Sequence, residues 1–173
     1  MSLKKYFKVL TISSLMLCMM CFTAYAGPRT GYMGPSVNVE SDRLPSNIRR
    51  AIDYVTATVR GAFFSAADLQ ISNENGEIGV SAHAYMSTAV DELYMTIYVD
   101  RWIEKESRWN QVAYYDFEFY AEDYPNGLTS ETVEFIIDNQ PKNNQYRLRG
   151  SYMAIKDGAM EGFGPVTDGV LIE

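Results

Sequence analysis

The chain has 173 residues, 47% of them hydrophobic and 13% aromatic, with 22 acidic residues against 15 basic ones and a formal net charge of −7. So many apolar and aromatic side chains exclude global disorder, and the acidic balance argues against nucleic acid and anionic lipid as partners. A single histidine, His83, rules out a three-histidine zinc site.

The N-terminus reads as an export signal. Lys4, Lys5 and Lys8 precede an uncharged apolar run from Val9 to Phe22, and Ala24-Tyr25-Ala26 offers small residues at a cleavage site before Gly27. Charge, apolar stretch and small-residue exit in that order define a secretory signal peptide. The run falls short of the roughly 20 residues needed to span a bilayer. Residues 1–26 are therefore expected to be cleaved after Ala26, leaving a secreted or cell-surface protein with no membrane attachment. Cys18 and Cys21 leave with the signal, and Leu17 and Met20 disfavour lipidation at either. The mature chain is expected to be cysteine-free, with 12 basic and 22 acidic residues. Its stability must come from packing, because no disulfide can form.

Residues 27–43, rich in Gly, Pro and Ser, read as a flexible leader. Leu44, Ile48, Ala51, Ile52, Val55 and Val59 then recur at helical spacing. With Pro45 at the start and Gly61 as a stop, they predict an amphipathic helix over 44–61. Packing that helix on the domain is the expected role. Three flanking basic residues are too few for a membrane-surface helix.

From Phe63 the period becomes two, and residues 62–173 read as a β-domain. Leu69 and Ile71 lead to a hairpin turn at Asn73–Gly76. Ile78, Val80, Ala82, Ala84 and Met86 share one face opposite Ser81, His83 and Tyr85. A polar turn is expected over Ser87–Glu92. Strand-like residues from Leu93 to Ile103 and from Trp109 to Tyr120 flank a tip at Glu104–Ser107. Tyr124–Gly127 is a further turn. Val133, Phe135 and Ile137 mark the next strand, and Asn139–Asn144 a loop. Tyr146, Leu148, Gly150, Tyr152 and Ala154 form another strand face, Lys156–Gly158 turns, and Val166–Ile172 closes the chain. About seven short strands with regular turns predict a mainly β fold, an antiparallel two-sheet sandwich with one N-terminal helix.

The cadence Tyr146-Arg147-Leu148-Arg149-Gly150, then Thr167-Asp168-Gly169-Val170-Leu171-Ile172, with Tyr98-Val99-Asp100-Arg101-Trp102 and Trp109 before it, resembles a family of small secreted proteins of Gram-positive (Firmicute) bacteria, a domain of unknown function. The resemblance covers 93–172 best. It implies export and a sandwich but supplies no activity, and Asp168 stands where that family carries asparagine. The chain is also loosely similar to fibronectin type III and immunoglobulin-like domains, in which a tyrosine placed like Tyr146 anchors a corner through its hydroxyl.

No catalytic or metal constellation stands out. His83 falls on the solvent side of its strand. Asp116 and Glu118 share a strand face about 7 Å apart, near glycosidase spacing, but on an open surface without the burial that raises a carboxyl pKa. Glu122, Asp123 and Asn126, or Asp157 and Glu161, offer oxygen ligands for calcium, without an EF-hand loop. No cofactor is implied.

The aromatic residues are more suggestive. Trp102, Trp109, Tyr98 and Tyr120 crowd one hairpin, where both strand faces carry rings although a sandwich buries only one. Core and cross-strand packing is one reading of this crowding; an exposed platform that stacks on sugar rings or docks a protein partner is the other. Arg101, Arg147 and Arg149 are expected nearby. The sequence thus points to a non-enzymatic interaction module for an extracellular protein or glycan. A small glycan hydrolase using Asp116 and Glu118 and a structural protein assembling through sheet edges are the alternatives.

Overall fold

A computed structural model describes residues 34–57 and 63–173. The expected signal with its Ala26 cleavage site, the start of the expected leader, and Gly61 lie outside the described residues. None of the described helices is long and apolar enough to cross a membrane.

The described residues form nine strands: β1 (Arg50–Thr56), β2 (Phe64–Glu74), β3 (Glu77–Val90), β4 (Glu92–Ile103), β5 (Arg108–Tyr120), β6 (Leu128–Ile137), β7 (Asn144–Lys156), β8 (Ala159–Phe163) and β9 (Val170–Ile172). They make two antiparallel sheets. One has the order β1-β2-β3-β6; the other runs β5-β4-β7-β8, with β9 also pairing with β7.

The helix expected over 44–61 is not formed in its described part, residues 44–57. Arg50–Thr56 is instead the edge strand β1, paired with β2 from Arg50↔Ser72 to Thr56↔Ala66. Its Ala51 and Val55 are four apart, a spacing that suits one face of a helix and one face of a strand equally. Ile52, Val55 and Thr56 are β-branched and stiff in a helix, and the open edge of β2 offers backbone partners. Asp53, which points inward among apolar neighbours, accepts the Val166 N–H through Oδ2 at 2.7 Å. Pro45 sits in a turn closed by the Ile48 N–H on its carbonyl at 2.9 Å.

The strand count of about seven is corrected in the same way. β1 replaces the helix, and β8 follows the turn at Asp157-Gly158, where both residues have positive φ. No polar turn separates β3 from β4, because β3 continues to Val90 and only Asp91 intervenes. The final strand is shorter than expected. The strand order also departs from the immunoglobulin pattern, in which the second strand is followed by one in the opposite sheet. Here β1, β2 and β3 are consecutive neighbours.

The turns behave as their residues dictate. Asn75 and Gly76, at φ 56° and 89°, close the β2–β3 hairpin between Glu74 and Glu77, as a two-residue Asn-Gly loop requires.

Both sheets share one buried cluster. Leu69, Ile71, Ile78 and Ala82 from the first sheet and Leu93, Met95, Ile97, Val99 and Leu148 from the second are fully buried, each large one worth about 1.5–3 kcal/mol. Tyr152 crosses between the sheets, its hydroxyl donating to Asp68 O at 3.0 Å. Tyr146, read as a corner anchor, donates to Pro141 O at 2.8 Å.

Candidate binding site

Alternation along β4, β5 and β7 sets successive rows on the outer face of the five-stranded sheet. Tyr98 stands beside Tyr114 and Arg149, Asp100 beside Gln111 and Arg147, and Trp102 beside Trp109. An outward row would ordinarily be solvated. Here Asp100 and Arg147 are fully buried and Arg149 is 4% exposed, because residues 34–43 of the expected leader cross over them.

The arginines hold that strap. Arg147 donates through Nη1 to Val39 O at 2.7 Å and Ser41 Oγ at 2.8 Å, and through Nη2 to Val37 O at 2.7 Å. Its Nε reaches Asp100 Oδ2 at 3.1 Å. Arg149 clasps Asp100 with two bonds, Nε to Oδ2 at 2.7 Å and Nη2 to Oδ1 at 3.0 Å. It also donates to Gln111 Oε1 at 2.9 Å and to Pro35 O. Two cations thus share one carboxylate. The excess positive charge is met by strap carbonyls and by aromatic faces: the Arg147 guanidinium carbon lies 4.7 Å from the Trp109 ring centroid, and that of Arg149 lies 4.8 Å from that of Tyr98. Burial pulls the Arg147 pKa below its ordinary value, and the Asp100 charge opposes that pull.

The strap is pinned at both ends. At Gly34 a Cβ would lie 2.5 Å from Ser151 Cβ, so only glycine permits this approach to β7. At the other end, Asp42 N donates to Asp168 Oδ1 at 2.8 Å, Gly169 N to Asp42 O at 2.7 Å, and Leu44 N to Gly169 O at 2.9 Å.

Between the strap and the β4–β5 hairpin tip runs an open cleft of about 390 Å³, with residues 37–42 along one wall and Trp102, Ser107, Arg108 and Trp109 along the other. Trp109 is 5% exposed. It is packed under Arg147, edge-on to Trp102 at 5.4 Å and 74°, and against Gly169. Its role is therefore in packing. Trp102 is half-buried and presents its ring to the cleft's edge. Its Nε1 donates to Glu104 Oε2 at 2.6 Å, the same oxygen that Arg43 Nη1 reaches at 2.8 Å while its guanidinium sits 4.5 Å from the Trp102 ring centroid.

Of the four aromatic residues picked out in the sequence, the structure brings Trp102 and Trp109 together at the cleft and places Tyr98 four residues back along β4, two outward positions from Trp102, beneath Arg149. Burial raises the Tyr98 pKa, helped by Asp116 and opposed by Arg149. Tyr120 does not join them. It pairs with Glu92 at the far end of β4, about 33 Å away along the strand, and packs edge-on against Tyr94 at 6.2 Å. Arg147 and Arg149 lie on this face, but Arg101 falls on the opposite one, beside Tyr146.

The remaining candidates lie elsewhere. Asp116 and Glu118 are exposed on the outer face of β5, Asp116 accepting from Thr96 Oγ1 at 2.6 Å and Glu118 from the Tyr120 hydroxyl. His83 lies on the other sheet, its Nδ1 2.6 Å from Asp68 Oδ1. Glu161 accepts the Phe63 and Phe64 N–H groups. Among the described residues no group of three or more His, Cys, Asp or Glu side chains is placed to hold a metal ion.

Sequence reasoning missed Asp100, Gln111, Arg43, Glu104 and the strap. The one available signal was Asp100 placed between Tyr98 and Trp102, a carboxylate flanked by two large aromatic residues on the outward face of β4. No family model, curated protein or solved structure matches the chain.

Proposed function

We propose that the protein is an exported, non-enzymatic interaction module that engages an extracellular protein or glycan at the cleft between the strap and the β4–β5 hairpin tip. The observation that carries this reading is the half-buried Trp102 ring at the edge of an open cleft, held in place by Trp109, Glu104 and the strap. A large aromatic side chain fixed on a rigid sheet offers contact area at little entropic cost, which is why such residues dominate binding hot spots.

Capture of cell-surface partners and glycan-array binding with the mature chain test this, each run with wild type and Trp102→Ala. Binding lost on Trp102→Ala and kept on Tyr120→Ala supports the cleft. Equal binding by wild type and Trp102→Ala removes it.

A further inference from the structure

We infer that the cleft receives an arginine-containing basic segment of a protein partner, one guanidinium taking the place between Trp102 and Glu104 that Arg43 occupies within the chain. The inference rests on the proposed binding role of the cleft and names the chemistry of what binds there.

The seat is already filled by a group of the right kind. Arg43 lies over the Trp102 ring at 4.5 Å and meets Glu104 Oε2 at 2.8 Å, while the Trp102 Nε1 hydrogen bond fixes that carboxylate. An aromatic face with a carboxylate at its edge suits a planar cation, stacked on one side and hydrogen-bonded on the other. The resident is held loosely. The side chains of Arg43 and Glu104 are 44% and 78% exposed, and exposed ion pairs of this kind contribute little. Displacing Arg43 leaves it free in solvent rather than buried and unpaired.

The rim extends the preference. Glu40 and Asp42 line the cleft and are exposed, and neither side chain takes part in a hydrogen bond or ion pair with another described residue. Arg108, the cation on the opposite wall, is neutralised by Glu106 at 2.5 Å. The unpaired charge among the residues lining the cleft is therefore negative, and so is the protein as a whole. Charge of one sign along a cleft steers and registers an oppositely charged partner.

The test is fluorescence anisotropy of a labelled hexa-arginine peptide titrated with the mature chain at 0.05 and 0.15 M salt. Arg43→Gln empties the seat and is expected to tighten binding about threefold. Trp102→Ala and Glu104→Gln are each expected to weaken it at least fivefold. Glu134→Gln, which removes the same charge from the opposite sheet, is expected to leave it unchanged. Circular dichroism confirms that each variant is folded. No binding of hexa-arginine by wild type, or equal losses for Glu104→Gln and Glu134→Gln, overturns the inference. If cell-surface capture still depends on Trp102 in that case, the binding role stands and only the ligand chemistry fails.

Discussion

Arg147 lies wholly buried beneath the segment it holds, its Nη1 2.7 Å from the carbonyl oxygen of Val39, more than a hundred residues earlier in the chain. A residue that alternation assigns to the solvent side of β7 thus becomes the anchor of a third layer, and the cleft at the hairpin tip exists because that layer is there.

Asp100 is the single carboxylate that two buried guanidinium groups share. Asp100→Asn leaves both cations without a counter-charge, and breaking such a buried pair costs about 3–5 kcal/mol. Urea unfolding is expected to show a loss of that size. Arg147→Met is expected to cost less, because Arg149 keeps its two-bond clasp on Asp100.

Arg147→Met also removes the bonds to Val37, Val39 and Ser41. Limited trypsin digestion is expected to cut after Arg43 several-fold faster in this variant than in wild type, with the strands from β1 onward still protected. Equal cutting rates would mean that the strap is held by other contacts.

Gly169 is where the strap, β9 and Trp109 meet. A Cβ there would fall 2.5 Å from the Trp109 ring. Gly169→Ala is expected to destabilise the fold by about 1–3 kcal/mol, the usual cost of overpacking, and to change the tryptophan near-ultraviolet circular dichroism.

Stability is expected to fall in alkali. Burial raises the Tyr124 pKa to about 12, with the Glu131 hydrogen bond adding to it, and burial raises that of Tyr152 as well. The unfolded chain releases these phenolic protons from pH 10 while the folded chain retains them. The stability is therefore full below pH 10 and declines as pH rises through 12. Tyr124→Phe is expected to make that decline shallower in unfolding free energy measured from pH 9 to 12.

Much of the β-domain was legible because its strands alternate cleanly. Ile78 to Met86, Leu93 to Val99 and Tyr146 to Ala154 all bury the face that the period of two assigns them. β1 was not legible, because Ala51 and Val55 fit either period and pairing with β2 decided between them. In the site, the crowding of Trp102 and Trp109 was visible, and so was the excess of rings over the faces available to bury them. The burial of Asp100, Arg147 and Arg149 was not, since it depends on residues 34–43, whose sequence has no periodicity and whose bonds to these side chains span more than a hundred residues of chain.

The account turns on two buried arginines locking the strap to the sheet and so shaping the cleft. Hydrogen exchange of the arginine Nε–H groups, followed by ¹H–¹⁵N spectroscopy of the chain, reads this directly. Arg147 and Arg149, whose Nε atoms bond to Asp100, should give persistent cross-peaks that exchange far more slowly than that of the exposed Arg50. Exchange of all three at one fast rate would contradict it.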